Sequence, residues 1–124
     1  MSTVLIADDE PSLRLLVSAT LDSDDYTVVE TEDGFEAWTQ IQQYRPQVAL
    51  LDVQMPGPTG LELTRKIKQN PDLATTYVIL LTSKTQDADV RRGLAAGADL
   101  YLTKPFSPLS LLTAVEQALG VMVA

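Results

Sequence analysis

The 124 residues predict a doubly wound α/β domain built on a five-stranded parallel sheet. Five short runs of apolar, mostly branched side chains alternate with five stretches of helical spacing, the pattern of parallel strands joined by helical crossovers. Right-handed crossovers put helices on both faces of such a sheet, which explains why the runs are almost continuously apolar instead of alternating with polar residues. A third observation orients the domain: the charged and hydroxyl residues gather where the runs end, and ligands of open α/β sheets bind at the carboxyl ends of the strands.

The first run, Thr3 to Ala7, ends in Asp8-Asp9-Glu10, and Pro11 suits the first position of a helix because its missing N–H would have no partner there. Leu13, Leu16, Val17, Thr20 and Leu21 follow at helical spacing as the inward face, with Leu15 off the stripe, and Asp22 to Asp25 end the helix. Tyr26 to Thr31 reads as the second strand. Asp33, with Glu36 three residues on, caps a helix that runs to about Tyr44 and stops at Arg45-Pro46. The third strand is Val48-Ala49-Leu50-Leu51 with Asp52 at its end. Met55-Pro56-Gly57-Pro58 then breaks the chain, and Thr59 with Glu62 forms a capping box for a helix carried inward by Leu61, Thr64, Ile67 and Lys68 as far as Asn70-Pro71. Tyr77 to Leu81 is the fourth strand, ending in Thr82-Ser83-Lys84. The fourth helix, Asp87 to Ala96, reads as weak, with Val90 and Leu94 as its large anchors and Gly93 inside it, where Gly costs about 1 kcal/mol. Asp99 to Thr103 is a short fifth strand before Lys104-Pro105. Ser107, Pro108 and Gly120 frame the last helix, with Leu111, Leu112, Val115 and Leu119 inward.

Composition narrows the chemistry. The length suits one domain over residues 1–124, able to bury about two-thirds of the surface of its unfolded chain. Residues 1–7 lack the basic start and cleavage site of a secretory signal, and no run approaches the roughly 18 apolar residues of a membrane span, so a soluble, cytoplasmic protein is expected. With neither Cys nor His, the chain has no thiol nucleophile, no disulfide, no thiolate or imidazole metal site and no imidazole acid or base. A net charge of -8 without a clustered basic stripe argues against direct nucleic-acid binding, which depends on neutralising phosphates.

Carboxylates, hydroxyls and Lys remain, and the strand ends collect them: Asp8 and Asp9 after the first, Asp52 after the third, Thr82 and Ser83 after the fourth, Lys104 after the fifth. A buried charge without a partner costs several kcal/mol, on the order of the effective penalty per ion, so a carboxylate ending a buried strand calls for a reason. A self-satisfied ion-pair cluster would supply one, but three carboxylates against one Lys leave net negative charge. All-oxygen ligation suits Mg²⁺, which keeps waters and leaves room for a phosphate oxygen, and Lys104 can pair with either a carboxylate or a phosphoryl group. Phosphoryl transfer needs an in-line nucleophile, a metal and positive charge or hydroxyls for the equatorial oxygens. Asp52 is the natural nucleophile, since an ionised carboxylate needs no base. Asp9 would hold Mg²⁺ directly, Asp8 through water, and the carbonyl near Gln54 would be a further ligand.

With these residues in place the chain resembles the receiver domains of two-component response regulators, of the single-domain, chemotaxis-regulator type. The resemblance covers residues 3–119. It rests on Asp8-Asp9, on Asp52-Val53-Gln54-Met55-Pro56 with Gly60, on Thr82-Ser83, and on Tyr101 with Lys104-Pro105-Phe106. It implies a flavodoxin-like (βα)₅ fold with strand order 2-1-3-4-5. It also implies that Asp52 accepts a phosphoryl group from a histidine on a partner kinase or histidine phosphotransfer protein, that Asp8 and Asp9 bind Mg²⁺, that Thr82 contacts the phosphoryl group, and that Lys104 pairs with it. Gln54 and Lys84 would set the lifetime of that group, and Thr82 with Tyr101 would form the switch. The implied output is a surface change that regulates an effector or a fused output domain, with a homodimer through the fourth helix, fifth strand and last helix as a further state. Such a protein is not a turnover enzyme; its chemistry is self-phosphorylation and autodephosphorylation. Thr59 departs from the acidic or amide residue often found at its position, a change expected to affect the loop more than the chemistry.

Three alternatives remain beside this reading. A Mg²⁺ phosphatase of the haloacid-dehalogenase type also uses an Asp nucleophile, Lys and a hydroxyl, but its Asp-x-Asp signature after the first strand is absent. A flavin carrier would need a phosphate loop at Ala7 to Ser12, where Asp8-Asp9-Glu10 would repel a phosphate lacking a metal. The third is a receiver that docks partners without being phosphorylated.

Overall fold

A computed structural model describes residues 2–83 and 87–120. Five parallel strands, β1 (Ser2–Ala7), β2 (Tyr26–Thr31), β3 (Val48–Asp52), β4 (Tyr77–Ser83) and β5 (Leu100–Lys104), alternate with helices α1 (Pro11–Thr20), α2 (Gly34–Tyr44), α3 (Gly60–Gln69), α4 (Asp87–Ala96) and α5 (Pro108–Leu119). The strands lie in the order β2-β1-β3-β4-β5, so the order reverses between β1 and β3.

Side-chain alternation along the strands divides the core in two. Val4, Ile6, Val48, Leu50, Ile79 and Leu81 pack against Val17 and Leu21 from the α1 side and Leu111, Ala114 and Val115 of α5. Leu5, Ala7, Ala49, Leu51, Val78 and Leu80 pack on the other face against Ala37 and Ile41 of α2 and Leu63 and Ile67 of α3. The central strands are buried on both faces, which is why their sequences are continuously apolar.

The helix ends follow the expected side-chain chemistry. Asp33 accepts from the Glu36 amide, Thr59 and Glu62 form a reciprocal capping box, Ser107 accepts from the Ser110 amide, and Gly120 closes α5 at φ 70°. Some expectations need correction. Leu94 is not an inward anchor of α4; it is 47% exposed. The contact residue is Gly93, where a Cβ would lie 2.1 Å from Leu80 Cδ1, so the absence of a side chain is what brings α4 down onto β4. Val90, the other expected anchor, and the tail from Val121 to Ala124 lie outside the described side chains. On α3 the buried large residues are Leu63 and Ile67, with Leu61 only partly covered. Asp99 precedes β5 instead of opening it: its carboxylate accepts from the Val78 amide at 2.9 Å and pairs with Lys68 at 2.9 Å.

Candidate phosphoacceptor site

Asp8, Asp52 and Lys104 meet because each extends the same side of its strand. The positions Val4-Ile6, Val48-Leu50 and Leu100-Leu102 all face the α1 and α5 core, and the next alternate residue in each strand direction is Asp8, Asp52 or Lys104. The apolar packing that fixes the strands therefore also aims these three side chains.

Lys104 Nζ bridges the two carboxylates, 2.7 Å from Asp8 Oδ2 and 3.1 Å from Asp52 Oδ2. The second oxygens accept backbone amides, Glu10 N to Asp8 Oδ1 at 2.9 Å and Gln54 N to Asp52 Oδ1 at 3.1 Å. Asp8 is fully buried and is further anchored by its own amide, which donates to the Thr31 carbonyl at 3.1 Å, and by Arg14 Nη1, which donates to its carbonyl at 2.7 Å. Arg14 reaches past Asp8 toward Glu30 and Glu32, at 3.8 and 3.9 Å.

Burial raises the Asp52 carboxyl, the Asp8 charge raises it further, and the Gln54 amide and Lys104 only partly offset them, leaving its pKa pushed up to about 6. Burial lowers Lys104, but its hydrogen bonds and charge pairing with Asp8 and Asp52 outweigh that, so its pKa is raised and it stays a cation. One carboxylate oxygen each from Asp8, Asp9 and Asp52 lies within 4.8 Å of the others. Lys104 pairs with two of these three carboxylates, so the all-oxygen set keeps excess negative charge, and its chemistry fits a hard divalent cation. Asp9 is exposed, leaving one side of the set open.

Thr82 is buried, one residue past Leu81, the register partner of Asp52. Its alternation places it with Val78 and Leu80 on the α4 face. Tyr101 pairs in register with Leu80 on that same face but is 44% exposed at the sheet edge, apart from the carboxylate cluster. Gln54 is exposed beside the site, and Lys84 lies outside the described residues. Sequence reasoning missed Arg14, whose only signal is a position one helical turn into α1. It also missed the cis peptide at Lys104–Pro105.

A sequence model of the response regulator receiver domain matches residues 4–116. The chain belongs to this family. The receiver is 36% identical over 117 residues to response regulator GtcR of Aneurinibacillus migulanus, covering 94% of this chain and 47% of that protein. It thus spans about half the length of the curated relatives it matches. Among solved structures, the receiver is similar to the chemotaxis response regulator CheY4 of Vibrio cholerae, with TM-score 0.88 and 36% identity over 95% of this chain and 98% of that one. The receiver domain of sensor histidine kinase PA1611 from Pseudomonas aeruginosa aligns with TM-score 0.86 and 28% identity over 96% and 98%, and that structure has a magnesium ion coordinated in its active-site cleft. Among the described residues of the receiver, no helix is long and apolar enough to cross a membrane.

Proposed function

We propose that this receiver accepts a phosphoryl group on Asp52 from a phosphohistidine of a partner kinase or phosphotransfer protein, in the cytoplasm, and that it acts as a signalling domain and not as a turnover enzyme. The observation that carries the reading is the Lys104 bridge between Asp8 and Asp52, with Asp9 within ligand reach. Asp8, Asp9 and Asp52, with the Gln54 carbonyl, would hold Mg²⁺. When bound, Mg²⁺ neutralises carboxylate charge and the charge of the incoming phosphoryl oxygens.

The rest is done by the chain itself. An Asp52 oxygen attacks phosphorus, the P–N bond to the donor imidazole breaks, its electron pair leaves with the imidazole, and an acyl phosphate forms. Lys104, already a cation beside Asp52, turns to a phosphoryl oxygen, and the Thr82 hydroxyl donates to another. Beside Lys104 a shallow groove of about 500 Å³ lies between Glu10, Ser12, Leu13, Leu16 and Pro105, and it suits a donor helix brought against α1. The downstream partner is an effector or an output domain joined to the receiver, and a homodimer through α4, β5 and α5 is a further state of the same surface.

Intact mass after incubation with a small phosphodonor tests the reading. One added phosphoryl group is expected with Mg²⁺, and none in Asp52→Asn or in excess chelator. Label that persists in either control would overturn it.

A further inference from the structure

The segment after Asp52 has two tasks in the reading above: the Gln54 amide orients Asp52 Oδ1, and the Gln54 carbonyl is a backbone ligand. Such a segment needs an external mould, because Pro56, Gly57 and Pro58 make no regular structure of their own. The start of α2 provides one. The Gly34 amide donates to the Pro56 carbonyl at 2.9 Å. A Cβ on Gly34 would lie 1.9 Å from the Pro58 carbonyl oxygen, 2.7 Å from its carbon and 2.8 Å from its nitrogen. All three are backbone atoms, which cannot swing aside as the tip of a side chain does, so the seat accepts a hydrogen and nothing larger.

The mould is itself fixed. Asp33 Oδ1 accepts from the Glu36 amide at 2.8 Å and Glu36 Oε1 accepts from the Glu32 amide at 3.2 Å, which pins the first turn of α2. Phe35, 70% exposed, spends its ring on the turn: its Cδ2 lies 2.8 Å from where a Gly57 Cβ would be. On the far flank α3 starts as tightly, a Gly60 Cβ falling 2.3 Å from the Asp52 carbonyl oxygen. The loop is clamped between two helix starts.

We propose that Gly34 and Phe35 are positioning residues for the phosphoacceptor site, holding the Pro56–Pro58 turn against α2 so that the Gln54 backbone meets Asp52 and the cation. The proposal rests on the phosphoacceptor reading. It also explains why a large aromatic ring is left on the surface beside the site: the ring covers a turn that has no side chain of its own at Gly57.

Gly34→Ala, Phe35→Ala and Gly93→Ala test it, the last being a glycine whose Cβ would meet the side chains of Leu80 and Leu61 and not the backbone of the loop. Titration of each with magnesium chloride by calorimetry, and amide exchange at Gln54 and Gly57 without metal, give the readouts. Gly34→Ala should weaken Mg²⁺ binding by about tenfold or more, the usual effect of disturbing the support of a metal ligand, and speed exchange at Gln54. Phe35→Ala should move both readouts the same way by a smaller factor, and because Phe35 is exposed this variant decides the matter if Gly34→Ala does not fold. Gly93→Ala should lose stability while keeping wild-type affinity and exchange. Wild-type values in both α2 variants, or equal losses in Gly93→Ala, would overturn the proposal. A wild-type protein that binds no Mg²⁺ would instead refute the phosphoacceptor reading, and metal-free exchange would still decide the mould.

Discussion

At Asp52, burial and the Asp8 charge work against Lys104 and the Gln54 amide, and the balance raises the carboxyl from 3.8 to about 6. The consequence for stability has a definite sign. Below pH 4 both folded and unfolded chains hold this proton, and the group contributes nothing. Between pH 4 and 6 the unfolded chain releases it first, so native stability falls as pH rises, and above about 6 the loss is complete. The site is open to solvent at exposed Asp9, which screens part of the effect, so about 2 kcal/mol is expected. Asp52→Asn removes the titration but leaves Lys104 its Asp8 partner. In chelator, the variant should match wild type near pH 4 and exceed its unfolding free energy by that amount at pH 7.5, as read from urea denaturation. Parallel stability profiles would exclude a raised pKa. Asp8, Asp52 and Lys104 are legible in the sequence because a charge ending an apolar run has few low-energy explanations. Arg14 is not: a lone Arg on a helix reads as solvated, and only the fold reveals that its guanidinium turns back to the Asp8 carbonyl.

Among the elements, α4 shows what residue-type patterns leave out. Large apolar residues at helical spacing point to Val90 and Leu94 as its anchors, and Gly93 counts there only as a helix weakness. In the fold the roles reverse, because a helix can dock through its smallest residue by lying closer, with Leu80 and Leu61 filling the space beside Gly93. The capping signals do better. Asp33, Thr59 and Ser107 all cap as expected, since a side-chain oxygen meeting the first free amides is a local event that tertiary packing seldom overrides. Lys68, placed inward on α3 by its spacing, fulfils that by donating to the Ala74 and Thr76 carbonyls at 3.2 and 2.7 Å as well as to Asp99. The seat of α4 is testable. Gly93→Ala must displace the tip of buried Leu80 or lift the helix, and overpacking of this kind costs typically 1–3 kcal/mol, so urea unfolding should show a loss of about 2 kcal/mol. A neutral or stabilising substitution would mean that Leu80 relaxes freely and that α4 is not set by this contact.

Across the whole molecule the site divides between the two faces of the sheet. Asp8, Asp52 and Lys104 extend the α1 and α5 side, whereas Thr82 continues the Val78-Leu80 side, toward α4. A phosphoryl group on Asp52 adds charge and strong acceptor oxygens, and a Thr82 hydroxyl drawn to them would move the one proposed phosphoryl contact that belongs to the α4 face. Leu80 lies two residues before it, against Gly93 on one side and paired in register with Tyr101 on the other. Tyr101, half-exposed at the edge strand, has an amphipathic ring able to rest outward or turn inward as the space beside Thr82 opens. A phosphoryl group would bias two such forms only by its differential affinity for them, so they should differ by no more than a few kcal/mol. Amide exchange should therefore change from Thr82 along β4 and through Tyr101 on β5 when a small phosphodonor and Mg²⁺ are added, and stay unchanged in Asp52→Asn. The opposite core, at Val17 and Val115, should keep its protection. Tyr101→Ala should still take up the phosphoryl group at the wild-type rate yet lose the difference between the two states at β5 and α4. Unchanged protection at Thr82 and Tyr101 in the phosphorylated protein would refute this route.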